Sequence, residues 1–213
     1  MKIKNNQVGL TLIELMIAMA IGLIVTAAVI GLFVSVLSSN NANLNEIRLN
    51  QELRAVMSLM TRDIRRTGYN GTSATNSTVN PFSSEASPAS ANDTKLAIAG
   101  STVNFSYDAD GDGVLDNGEV FGYRLSGTEV QFCQSAGTTF ATCAWSALTD
   151  SSIVGVTALS FIENTVVENA GTTAETDVRQ ITIVLIGQWV NDTAFTRTIT
   201  ETVKLRNEHF DSW

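Results

Sequence analysis

Residues able to do chemistry are few in this chain and lie mostly in one short stretch. DADGDGVLDNGE, from Asp108 to Glu119, carries carboxylates at Asp108, Asp110, Asp112, Asp116 and Glu119. The spacing matches the EF-hand calcium-loop pattern at Asp108, Asp110, Asp112, Gly113 and Glu119. In that pattern the Val114 carbonyl fills the seventh position and Asp116 the ninth, while Glu119 offers both oxygens from the twelfth. Leu115 would point inward. Carboxylates this crowded repel one another unless a cation neutralises them, although an acidic, Gly-rich turn that binds nothing has the same composition. Strand-like sequence flanks the loop on both sides, so the expectation is a structural calcium clip and not a calcium-sensing switch.

Elsewhere the inventory is thin. Cys133 and Cys143 are the only cysteines and His209 the only histidine. A metal site at the cysteines would need two further ligands nearby. There is no Ser-His-Asp order, no phosphate-binding Gly loop and no carboxylate pair outside the acidic loop, so an enzyme is not expected. The formal charge is -8, from 21 acidic residues against 13 Lys and Arg. Without a basic cluster, such a chain has no charge attraction for nucleic acid, which is not expected as a partner.

One further carboxylate, Glu14, stands inside an apolar segment from Leu10 to Leu37. The segment follows MKIKNNQVG, in which Lys2 and Lys4 are the only charges. A secretory signal has an apolar core of only about 7–15 residues, whereas about 20 suffice to cross a membrane. The lysines would stay cytoplasmic and the C-terminal bulk would be exported. In an exported domain Cys133 and Cys143 read as a disulfide, with two free buried thiols as the alternative. Closing so short a loop contributes about 3 kcal/mol. Glu14 within the apolar span costs up to ~3 kcal/mol near the bilayer centre, which makes it a functional residue by default. Were the chain cut after Gly9, the new amine on Leu10 would lie one helical turn away. It could then pair with Glu14 of its own chain or of a neighbour, cancelling two charges in a low-dielectric setting.

GLTLIELMIAMAIG, Gly9 to Gly22, resembles the type III signal sequence of type IV pilins and pseudopilins. The resemblance implies cleavage between Gly9 and Leu10 by a prepilin peptidase and methylation of the new N-terminus at Leu10. Glu14 becomes the fifth mature residue, which helps dock the subunit. It also implies a single-pass inner-membrane protein, in contact with lipid, whose C-terminal domain lies in the periplasm before it joins a pilus. The implied partners are the peptidase, the inner-membrane assembly platform, and other minor and major pilins. Leu10 stands where Phe is commonest in the family. The apolar helix lacks the proline of many major pilins, leaving Gly22 and Gly31 as places to bend.

Beyond Leu37 the composition turns amphipathic. Leu44, Ile47, Leu53, Val56, Met57, Met60 and Ile64 recur at helical spacings, with Arg48, Glu52, Arg62 and Arg66 between them. A single helix from Leu10 to Thr67 would run about 85 Å and stop at Gly68. The expected organisation is a leader at 1–9, a membrane or filament-core half-helix at 10–37 and an amphipathic half at 38–67. A loop at 68–94 and a β domain at 95–213 complete it. Strands are expected at Lys95–Ala99, Thr102–Tyr107, Val120–Leu125, Glu129–Gln134, Ile153–Ile162, Val178–Trp189 and Ala194–Arg206. The last two should form a hairpin around Asn191-Asp192.

The fold class is α+β, with the C-terminal half of a long N-terminal helix packed on an antiparallel sheet, as in type IV pilins. RDIRRTGY, Arg62 to Tyr69, resembles the helix end of PilW-type minor pilins, and VKLRN, Val203 to Asn207, their closing strand. That likeness implies a minor pilin that helps initiate or cap a type IV pilus. A J-type minor pseudopilin of type II secretion, whose helix end is a looser version, is the alternative. An adhesive or DNA-uptake role at the tip is compatible with the first.

Overall fold

The computed structural model describes residues 9, 11–72, 81–82, 96–168 and 176–205. It divides into two compact units, Met1–Asn45 and Glu46–Trp213. Helix α1, Leu12–Ile64, runs through both. The elements that follow are β1 (Ala97–Ala99), β2 (Thr102–Ser106), β3 (Val120–Ser126), β4 (Glu129–Ser135), β5 (Cys143–Ala147), β6 (Val154–Glu168), β7 (Thr176–Trp189) and β8 (Asp192–Lys204).

Within the first unit α1 is apolar on every side from Leu12 to Leu37. Residues 12–37 are exposed all round, with Glu14 as their only charged side chain. Such an exposed surface suits lipid or other apolar helices, and the helix is long and apolar enough to cross a membrane. β-Branched residues such as Val25, Val29 and Ile30 cost little helix stability where no water competes for the backbone. Thr26 turns its hydroxyl back to the Gly22 carbonyl at 2.7 Å, so this polar group is satisfied within the helix.

The second unit holds the rest of α1 and two antiparallel sheets, one in the order β1-β2-β3-β4-β5 and one in the order β6-β7-β8. Leu49, Leu53, Val56, Met57, Met60 and Ile64 form the buried stripe of the helix. Leu44 and Ile47, expected in that stripe, are half exposed at 51% and 50%. Leu49 takes their place because Ile47 lies ~200° around the helix from it. Gly187 of β7 meets Leu53 so closely that an added Cβ would lie 2.8 Å from its Cδ2. The bare glycine thus lets helix and strand approach. Phe105, Phe121, Tyr123 and Ile183 continue the same core.

Several boundaries differ from expectation. α1 ends at Ile64 rather than Thr67, because Arg66 and Thr67 donate to Asp63 and Ile64 carbonyls in tight turns. Two sheets form where one was expected. They meet where Val156 N–H of β6 donates to the Thr128 carbonyl at 2.8 Å, and Phe161 N–H to Gly100 at 3.4 Å. β5 was not foreseen: CAWSA is too short and mixed to read as a strand alone, but it pairs along β4 from Gln131↔Ala147 to Ser135↔Cys143. β6 runs past Ile162 to Glu168, because pairing with β7 carries it through the polar residues of its second half. The β7–β8 hairpin turns at Val190 and Asn191, with Trp189 paired to Asp192. Most of the expected 68–94 loop, the Lys95 strand start and Arg206 lie outside the described residues.

Candidate functional site

The acidic loop joins β2 to β3 and is held by backbone on both sides. Tyr107 N–H donates to the Glu119 carbonyl at 3.3 Å, extending the ladder beyond Ser106↔Val120. On the other side, the chain leaving α1 docks against it. Gly68 N–H donates to the Ser106 carbonyl at 3.0 Å, and Asp108 N–H to Tyr69 at 2.9 Å. Gly71 then comes so close to Gly111 that a Cβ there would sit 2.7 Å from the Gly111 Cα.

Asp108 lies at the centre of this junction and is fully buried. Its Oδ1 accepts Gly111 N–H at 2.6 Å, and its Oδ2 accepts Gly71 N–H at 2.8 Å and Gly113 N–H at 2.9 Å. Burial pushes its pKa up, but the N–H groups of Gly71, Gly111 and Gly113, helped by Asp110, hold the carboxyl below its ordinary range. Gly113 adopts a φ of 79°, the left-handed turn that lets its N–H point back at Asp108. Asp110 accepts Asp112 N–H at 3.2 Å and Asp112 accepts Val114 N–H at 2.7 Å, so each aspartate caps its own turn.

Asp108, Asp110 and Asp112 bring their ligand oxygens within 4.8 Å of one another. Three hard oxygen donors at that separation fit a hard cation. A carboxylate offers about four lone-pair sites, so Asp108 keeps capacity beyond its three N–H bonds. Asp116 and Glu119 are not part of this group. The buried Glu119 instead accepts Ala109 N–H at 2.7 Å and Asp116 N–H at 2.8 Å through its two oxygens. Val114 keeps an exposed side chain. Of the five carboxylates expected to ligate, the structure therefore gathers three, and uses Glu119 to close the loop.

Cys133 and Cys143 are bonded, with an S–S distance of 2.02 Å, and tie β4 to β5. At the other end of the chain, Gly9 is exposed and outside the helix, and Glu14 sits exposed in the first turn of α1. Leu10 and His209 lie outside the described residues.

Two features escaped the sequence reading. The first is Gly71 as a partner of Asp108, from a segment 37 residues earlier. The second is a buried link across the core, in which Tyr123 Oη donates to Asp63 Oδ2 at 2.6 Å while Arg62 Nε reaches Oδ1 at 3.2 Å. Burial, and then the bonded Asp63 carboxylate, push the Tyr123 phenol far up, so it remains a donor. An aspartate at the end of an amphipathic stripe was the only available hint.

Comparison with known families bears on both ends of the chain. The family model for prepilin peptidase-dependent protein B matches residues 42–205, most of the chain. The chain belongs to that family. The prokaryotic N-terminal methylation motif matches residues 4–30, which include Gly9, Leu10 and Glu14. No curated protein and no solved structure matches. This member of the prepilin peptidase-dependent protein B family is therefore a pilin-like chain with a methylation motif, an apolar N-terminal helix and an α+β architecture. Families of this kind are structural rather than enzymatic.

Proposed function

We propose that the chain is a minor pilin that helps initiate or cap type IV pilus assembly. The observation that carries the reading is the methylation motif at 4–30 entering a helix whose exposed apolar half contains one charge, Glu14. The peptidase cuts between Gly9 and Leu10, and Leu10 is methylated. The new amine then pairs with Glu14 of the same or a neighbouring subunit, relieving the cost of both charges away from water. Before incorporation the chain spans the inner membrane once, with its C-terminal domain in the periplasm. It then joins other minor and major pilins through the assembly platform, and no catalytic role is assigned to it.

Calcium at the acidic loop is part of the same proposal. Asp108, Asp110 and Asp112 would hold the ion, joined by Val114, Asp116 and Glu119 if the loop closes further. Its chemistry is charge neutralisation, which stiffens the junction between the end of α1 and the β2–β3 connection.

Changing Glu14 to Ala tests the assembly reading. The variant should be cleaved but poorly incorporated, and normal incorporation counts against the whole reading. Gene deletion separates the two assemblies: loss of surface pili with intact secretion supports the pilus role, and the reverse outcome favours the secretion pseudopilin.

A further inference from the structure

The first turn of α1 is closed by Thr11 alone among the described residues before it. Glu14 N–H donates to Thr11 Oγ1 at 3.4 Å, and Leu15 N–H donates to the Thr11 carbonyl at 3.2 Å. Thr11 is outside the helix and Leu12 is its first residue. The residue is therefore an N-cap, and Thr11-Leu12-Ile13-Glu14 has the spacing of a capping box.

A helix start in an apolar setting has few partners for its open N–H groups. Without a capping side chain, the helix gains by extending backward, and Leu10 is a good helix former. Extension would tie the backbone around the Gly9–Leu10 bond into helical hydrogen bonds. Proteases cut chain that is exposed and free of such bonds. The Thr11 hydroxyl fixes the start of the helix beyond this bond.

We propose that Thr11 is a positioning residue for processing: its cap keeps the Gly9–Leu10 bond outside α1 and so open to the peptidase. The proposal rests on cleavage at Gly9–Leu10. It assigns to Thr11 a role in the precursor that is separate from the role of Glu14 in assembly.

The test uses the full-length precursor in inner-membrane vesicles with prepilin peptidase, following loss of the leader by mass. Thr11→Val keeps the shape and removes the oxygen, whereas Thr11→Ser keeps the oxygen. Val should slow cleavage about fivefold, the ratio that matches a typical N-cap contribution, and Ser should stay within about twofold of wild type. Cleavage of Thr11→Val at the wild-type rate overturns the proposal. Equal slowing of both variants also overturns it, since Ser keeps the capping oxygen and the peptidase would then be reading the whole threonine side chain and not the cap. A wild-type precursor left whole, beside a control prepilin that is cut, overturns the cleavage reading itself and the proposal with it.

Discussion

Two carboxylates hold the second unit together in different ways, and each can be probed alone. Asp63 is buried and relies on Tyr123 and Arg62. Tyr123→Phe removes the phenol but keeps the ring in the core, so Asp63 loses its shortest hydrogen bond. The variant should be destabilised by about 1–3 kcal/mol, read as a lower denaturation midpoint; an unchanged midpoint would show that water replaces the hydroxyl without cost. Asp108 instead satisfies three backbone N–H groups from two segments. Calcium at millimolar concentration should raise the melting temperature of the wild-type chain, and Asp108→Ala should abolish that rise. A flat calcium titration of the wild type removes the metal from the account but leaves Asp108 as a structural cap.

At the scale of elements, the sequence reading was strongest where one physical signal dominated. The apolar run and the stripe from Leu53 to Ile64 gave the helix, because burial repeats with the helical period. The failures at Leu44 and Ile47 came from extending that stripe to a part of the helix where those side chains remain half exposed. Strands β2, β3 and β4 were legible from alternation, and two-residue turns such as the one after Ser126, with Gly127 at a φ of 61°, punctuate them. β5 and the far end of β6 were not, since their existence depends on a partner strand and not on their own residues. The split into two sheets was hidden for the same reason. In the acidic loop, the spacing of Asp108, Asp110 and Asp112 was readable, but the turning of Glu119 to Ala109 and Asp116 was not. A twelve-residue pattern carries ligand identity, whereas the strands entering and leaving the loop decide which oxygens converge.

For the whole molecule, the N-terminal motif and the β domain make separate contributions to the same conclusion. The match at 4–30 is to an N-terminal methylation motif, and the match at 42–205 places the remainder in a family named for its dependence on prepilin peptidase. Glu14 falls within the first match, as the one charge in a helix segment, residues 12–37, otherwise suited to lipid or to a filament interior. The most direct measurement is the mass of the N-terminal peptide from cells with and without prepilin peptidase. The account predicts a chain beginning at methylated Leu10 when the peptidase is present, and an intact leader from Met1 to Gly9 when it is absent. An intact leader in both, or a cut elsewhere, would contradict it.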